Sequence, residues 1–380
     1  MATDRVTPLL RDERIDAIRG LCLVIMTWDH LPNPFREFTY QTFGFVSAAE
    51  TFVFLSGIVS AWVYGRALIA HGMDATIGRA LRRVRLIYLT HMALFTFFGL
   101  GLLATSVHSG TVFGLTPLRA WVEGALFLLR PPWLENFLPN YCLFIAAAPI
   151  VLKQLQRGRR GAVLAVSVAL WALGQTHGRF YGGFDPLGWQ LLFVGGMVVG
   201  FPKVSGRPSA VPRSRGWSCV ALAASVAFFI LRHRTVFHLP VGPGLATYLS
   251  FLYSLDAKSV EHYVRLINFA VLAYLVWSVP RTFEAFARET SLYRALAFLG
   301  RHSLQVFAGA TCISICAYIY WQRFGHYSDR TQIAVLVLAT ATLFIPAWIH
   351  QAMSKPRTPS VKKPERPLAV TSLAVPGQNS

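Results

Sequence analysis

Residues 14–35 read RIDAIRGLCLVIMTWDHLPNPF. The middle of this stretch is apolar enough to enter lipid, yet it carries Asp16, Arg19, Asp29 and His30. An α-helix turns about 100° per residue, so eleven residues bring His30 back to within about 20° of Arg19, roughly 16 Å further along the axis. Cys22 and Met26 lie between them on that stripe. Asp16 is one turn before Arg19, close enough to pair with it. Asp29 is about 100° round the helix from His30. In a bilayer such groups are costly unless they face protein, water or an anion. Arginine suits an anion and histidine suits a proton near neutral pH. A second reading stays open, in which Asp16 and Arg19 anchor the helix at the headgroups and His30 ends it.

The same apolar character recurs along most of the 380 residues, of which 54% are hydrophobic and only 14% charged, with a mean hydropathy of +0.46. Soluble domains carry about a quarter charged residues. The fold class read from this is an all-α polytopic membrane protein. Ten spans are expected, at about 17–31, 44–64, 85–106, 138–152, 161–175, 187–202, 216–231, 264–280, 297–321 and 331–350. The run 117–129 is too short and holds Arg119 and Glu123, so it reads as an interfacial or re-entrant helix.

The net charge of +19 would suggest nucleic acid in a soluble chain. Here the charges cluster between apolar runs, so no nucleic-acid partner is expected and the clusters set topology. With the N-terminus inside, 23 of the Lys and Arg residues fall in cytoplasmic segments, 9 in outer segments and 4 within spans. That bias predicts both termini in the cytoplasm. Residues 1–350 form one membrane domain. The tail 351–380, rich in Pro, Ser and Lys, reads as a disordered cytoplasmic end.

The five cysteines read as small packing residues, and no metal site is expected. Gly195, Gly196 and Gly200 read as close helix packing rather than phosphate binding. No internal repeat, phosphate-binding loop or dinucleotide fingerprint is present.

Further polar residues lie in or near the spans. Glu50 in the second span needs a partner or a proton. Ser56 precedes Gly57, where close packing would explain it equally well. Arg79, Arg82, Arg83 and Arg85 crowd the start of the third span, as topogenic charge or as a phosphate site. Arg301, His302 and Ser303 read either as a helix-start cluster or as further anion-binding groups. Arg265 and Asn268 lie toward the outer end of the eighth span. In the outer loops Trp133, Asp185 and Trp189 are of the kind that binds sugars, although aromatics there also form interfacial belts.

Together these residues resemble a family. Asp16-x-x-Arg19-Gly20 with His30 eleven residues later is similar to the first-helix signature of the membrane acyltransferase-3 superfamily. ETFVFLSG (51–57 with Glu50) and RALRRVRLIY (79–88) resemble its second- and third-helix motifs. The Asp29-His30 pair, FGFVSAAETFVFLSG, LPNYCLFIAAAP, FDPLGWQLLFVGG, RLINFAVLAYLVW and GRHSLQVFAG are closer to one branch, the OpgC-type glucan succinyltransferases. The resemblance implies about ten helices in a bacterial inner membrane. It implies O-acyl transfer from a cytoplasmic acyl-CoA, succinyl-CoA for this branch, to hydroxyls of a periplasmic glucan or related polysaccharide, with no tightly bound cofactor.

In that scheme His30 is the catalytic residue, as base or as acyl carrier, and Asp29 or Glu50 tunes it. Arg19, Arg82, Arg85 and Arg301 hold the donor, while Asp16, Ser56, His302 and Ser303 give polar support. Trp133, Asp185 and Trp189 face the acceptor. If the acyl group is succinyl, an arginine near His30 is the natural partner for its carboxylate. A competing reading from a different class, a proton-coupled transporter or flippase, would use the same intramembrane charges as a relay.

Overall fold

The helix that carries the quoted stretch, α1 (Glu13–Asp29), has defined stops at both ends. Asp12 caps its start, accepting from the Arg14 amide at 3.3 Å. Arg14 at 2.9 Å and Lys203 at 3.4 Å bracket the same carboxylate. Burial alone would raise the Asp12 carboxyl, but these two cations hold it below its ordinary value. Its contribution to stability is therefore present at neutral pH and fades as pH falls through the lowered value. At the far end Pro32 and Pro34 follow the cap and prevent continuation.

The structure, a computed structural model, describes residues 12–105, 137–176, 184–208, 211–279, 281–325 and 328–354. Every regular element among them is helical. After α1 come α2 (Arg36–Thr39), α3 (Ala48–Thr105), α4 (Phe137–Gln156), α5 (Arg160–Thr176), α6 (Pro186–Gly200), α7 (Pro202–Ser205) and α8 (Arg215–Arg232). They continue with α9 (Pro243–Tyr253), α10 (Leu255–Ser259), α11 (Tyr263–Ser278), α12 (Arg281–Glu289), α13 (Ser291–Arg301), α14 (Ser303–Phe324), α15 (Asp329–Thr342) and α16 (Phe344–Ser354). The expected helix 117–129, Trp133 and most of the 351–380 tail lie outside the described residues.

Six helical stretches are long and apolar enough to cross a membrane, and α11 is a shorter apolar helix. Their outward faces are bare of polar cover: Trp217, Val220, Leu222 and Val226 on α8 are all exposed. In a protein of this composition such faces meet lipid. The chain is a helical membrane protein.

Three expected boundaries change. The second and third spans belong to one 58-residue element, α3, broken only at Gly72, whose φ of 78° is left-handed. The arginine cluster 79–85 therefore lies inside this helix, after the break at Gly72. The span expected at 297–321 divides at His302, where α13 gives way to α14. The span expected at 331–350 divides at Leu343, because the ring of Pro346 crowds the carbonyl four residues back at Thr342.

Close helix contacts rest on glycine. A Cβ at Gly57 would lie 2.0 Å from the Phe193 carbonyl oxygen, and one at Gly196 would lie 2.1 Å from that of Phe54, so α3 and α6 touch backbone to backbone. α1 and α13 do the same: a Cβ at Gly20 would meet the Leu296 oxygen at 1.9 Å, and one at Gly300 would meet the Asp16 oxygen at 1.8 Å. Gly300→Ala should therefore push α13 off α1 and cost at least about 1–3 kcal/mol. Gly99→Ala, where the added Cβ meets nothing within 4 Å, is the neutral control. Thermal unfolding of the two variants in detergent measures the difference.

Candidate active site

Two clusters of buried polar groups lie at opposite ends of α1. At the first, His30 caps the helix C-terminus. Its amide donates to the Thr27 carbonyl at 3.2 Å, and its ring Nδ1 lies 2.5 Å from the Met26 carbonyl oxygen. A carbonyl only accepts, so Nδ1 carries the proton and Nε2 presents a lone pair. The side chain is exposed rather than packed. The partner that orients it is thus the helix's own last turn. Asp29 beside it is half-buried, and its Oδ1 is buried without a hydrogen-bond partner among the described residues.

Glu50 lies in the first turn of α3 and is fully buried. Its Oε2 accepts from the Ser47 amide at 3.0 Å and the Ser47 hydroxyl at 2.5 Å. Ser47 and Glu50 form a capping box, in which the third helical residue reaches back to the capping amide. Its Oε1 pairs with Arg265, also fully buried on α11. Arg265 donates further to the Leu252 carbonyl at 3.2 Å, and its Nε stands 3.8 Å from Glu261. Glu50 is thus saturated by Ser47 and Arg265, and is not hydrogen-bonded to His30. Asn268, one turn beyond Arg265, accepts from the Phe45 amide at 2.7 Å and donates to the Phe43 carbonyl at 3.2 Å. Gly44 between them has φ 113°, and a Cβ there would lie 2.2 Å from the Asn268 oxygen. Arg265 and Asn268 thereby fasten the segment that joins α1 to α3.

At the other end of α1, Arg19 is buried and donates to the Ser303 hydroxyl at 2.7 Å, with its guanidinium 5.1 Å from the Phe52 ring centre. Arg301 pairs with Glu13 at 2.6 Å and stands 4.0 Å from Asp16. His302 meets His350 at 2.8 Å, Nδ1 to Nδ1. The structure therefore brings Asp16, Arg19, Arg301, His302 and Ser303 together where α1, α13 and α14 converge. Arg82 and Arg85 are exposed on one face of α3. Ser56 is buried, and its hydroxyl has no partner among the described residues.

Asp185 and Trp189 are each 1% exposed. Asp185 caps α6, accepting from the Leu187 amide at 2.7 Å, and Trp189 donates to the Lys258 carbonyl at 3.0 Å. Both are tied into the scaffold. Asp185→Ala should cost about 1 kcal/mol of stability, and Asp185→Asn, which keeps the accepting oxygen, much less. Detergent unfolding temperatures check this order. Three residues escape a reading by composition: Ser47, Lys258 and Glu261. The S-x-x-E spacing of SAAE marks the first, and the four-residue step from Glu261 to Arg265 marks the third. Lys258 carries no local signal.

No curated protein and no solved structure matches the chain. Residues 11–355 match the family described as OpgC protein, including every described residue of both clusters. This chain belongs to the OpgC family.

Proposed function

We propose that the protein is a membrane O-acyltransferase that moves an acyl group, succinyl by the branch it resembles, from cytoplasmic acyl-CoA to sugar hydroxyls of a periplasmic glucan. Family membership supports a glucan-modifying acyltransferase. The single observation that carries the reading is the His30 Nδ1 held 2.5 Å from the Met26 carbonyl oxygen, an acceptor that puts the proton on Nδ1 and the basic lone pair on Nε2 in the neutral ring. In this scheme the Arg19 end of α1 faces the cytoplasm and takes the donor's phosphates, with Arg301 and the exposed Arg82 and Arg85 as further cations. The bilayer is the bacterial inner membrane, crossed ten times.

At the His30 end, Nε2 takes the proton of a glucose hydroxyl as its oxygen attacks the thioester carbonyl. The C–O bond forms, the C–S bond breaks, and the departing coenzyme A thiolate takes the proton back from the imidazolium. Glu50 and Arg265 are positioning residues that hold the start of α3 and the loop leading to it. Asp29, whose Oδ1 has no hydrogen-bond partner among the described residues, is the second group at the reacting end of α1.

A proton relay for a transporter would need titratable groups between the two clusters. On α1 the stripe from Arg19 to His30 carries only Cys22 and Met26. The test is mass spectrometry of periplasmic glycans from a deletion strain beside wild type. Loss of a succinyl-sized increment is expected. Loss of an acetyl-sized one would reassign the donor, and unchanged glycans would overturn the reading.

A further inference from the structure

A buried cation near the His30 end is a lysine from a distant turn. α10 and the turn after it are held with unusual completeness. The four successive carbonyls of residues 258–261 each receive a donor: Trp189 Nε1 at 3.0 Å, the Asp185 amide at 2.8 Å, Gln175 Nε2 at 2.6 Å and Trp171 Nε1 at 2.8 Å. Gly188 packs so tightly here that a Cβ would lie 2.5 Å from the Val260 oxygen. Glu261 takes a left-handed φ of 53° to complete the turn. A loop fixed this firmly presents its side chains in one place.

What it presents is Lys258, 9% exposed, with its ammonium 5.2 Å from the Tyr40 ring centre and 5.6 Å from that of Phe184. Two aromatic faces stabilise a cation but do not neutralise it. Lys258 makes no ion pair or hydrogen bond through its ammonium among the described residues. The nearby buried carboxylates are committed elsewhere, Glu50 to Arg265 and Ser47, and Glu261 to the same guanidinium. Burial first, and the charge of Glu50 second, push Glu261 well above the ordinary carboxyl range, which weakens it as a counter-charge to Lys258. Asn33 donates to the Trp28 carbonyl at 3.4 Å and to the Thr39 hydroxyl at 3.0 Å, which ties Tyr40, and with it Lys258 over its ring, to the end of α1. Arg36 also lies over the Tyr40 ring, 5.7 Å from its centre, but it is exposed to solvent. A buried, rigidly placed cation that makes no ion pair among the described residues, at this end of α1, can bind an anion.

We infer that Lys258, set between Tyr40 and Phe184, receives the free carboxylate of a dicarboxylic acyl group and thereby selects it over a neutral acyl group of similar size. The inference rests on the acyltransferase reading. It assigns to a lysine the role that the resemblance implied for an arginine near His30, because Arg265 is already occupied by Glu50.

The test compares succinyl-CoA with acetyl-CoA as donors for purified protein in nanodiscs, with a glucose oligosaccharide as acceptor. Lys258→Met keeps the length and apolar stem, and its main-chain carbonyl still meets Trp189. It should lower kcat/KM for succinyl-CoA about 10–100-fold, the worth of one charge-assisted hydrogen bond, and change that for acetyl-CoA by less than about threefold. Lys258→Arg should recover part of the succinyl rate. An equal fall with both donors, or no fall, overturns the inference while leaving the enzyme reading intact. Wild type that uses acetyl-CoA but not succinyl-CoA does the same. Wild type that transfers neither group removes both. Should the variants not accumulate, wild type decides: free succinate should compete with succinyl-CoA far better than butyrate does, and equal competition overturns the inference.

Discussion

His30→Ala removes acyl transfer, with a fall in kcat of about 10²–10⁴-fold and the protein still present in the membrane at wild-type level. The size follows from the contribution of a positioned general base. The selectivity for activity over folding follows from the place of the ring. His30 stands at the end of α1, exposed, and its Nδ1 lies against a main-chain oxygen of the preceding turn. Truncation leaves no void in the core, and the Met26 carbonyl loses a partner at a helix end where water can replace it. His30→Gln retains a group that can donate to Met26 but supplies no base near neutral pH, so it should be as inactive as alanine. The measurement is thiol release from acyl-CoA with glucan present, normalised to protein quantified in the same vesicles. Activity within tenfold of wild type in either variant would remove His30 from the chemistry.

Arg265→Ala has the opposite signature. It strands Glu50 and Glu261, both fully buried, around one missing guanidinium and orphans the Leu252 carbonyl. Removing one partner of a buried ion pair costs about 3–5 kcal/mol, a large share of the stability of most folded chains. The expected result is little protein in the membrane and a steep fall in the detergent unfolding temperature. Arg265→Lys should recover only part, because a point charge cannot meet Glu50, Glu261 and the Leu252 carbonyl at once. Glu50→Gln keeps an acceptor for Ser47 and removes one charge, so its loss should be smaller than that of Arg265→Ala. Arg265→Ala with wild-type stability would mean that the cluster is open to water in the membrane.

The outline of the fold was readable because its signals are local. A helix period places Arg19 and His30 on one stripe, and apolar length finds the helices that contain Phe137–Gln156, Pro186–Gly200 and Arg215–Arg232. The boundaries that moved depend on backbone facts with weak local marks. Gly72 breaks α3 without ending it, and Gly300 ties α13 to α1 across the sequence. The site divides in the same way. Asp16 and Arg19 share one end of α1 as the helix period requires, but their partners Arg301 and Ser303 come from far along the chain. Glu50 pairs with Arg265 across 215 residues, and Lys258 reaches the His30 end through a turn whose placement depends on donors from Trp171, Gln175, Asp185 and Trp189. No spacing rule spans such separations; only the fold brings those charges together.

The hydrogen bond from His30 to Met26 has a consequence for how this chemistry would be searched for. In most histidine bases the orienting partner is a carboxylate, which leaves a second sensitive position for mutagenesis to find. Here the partner is a peptide oxygen, present whatever side chain occupies position 26. Substitution at position 26 would leave that contact in place, so a side-chain scan would not find it.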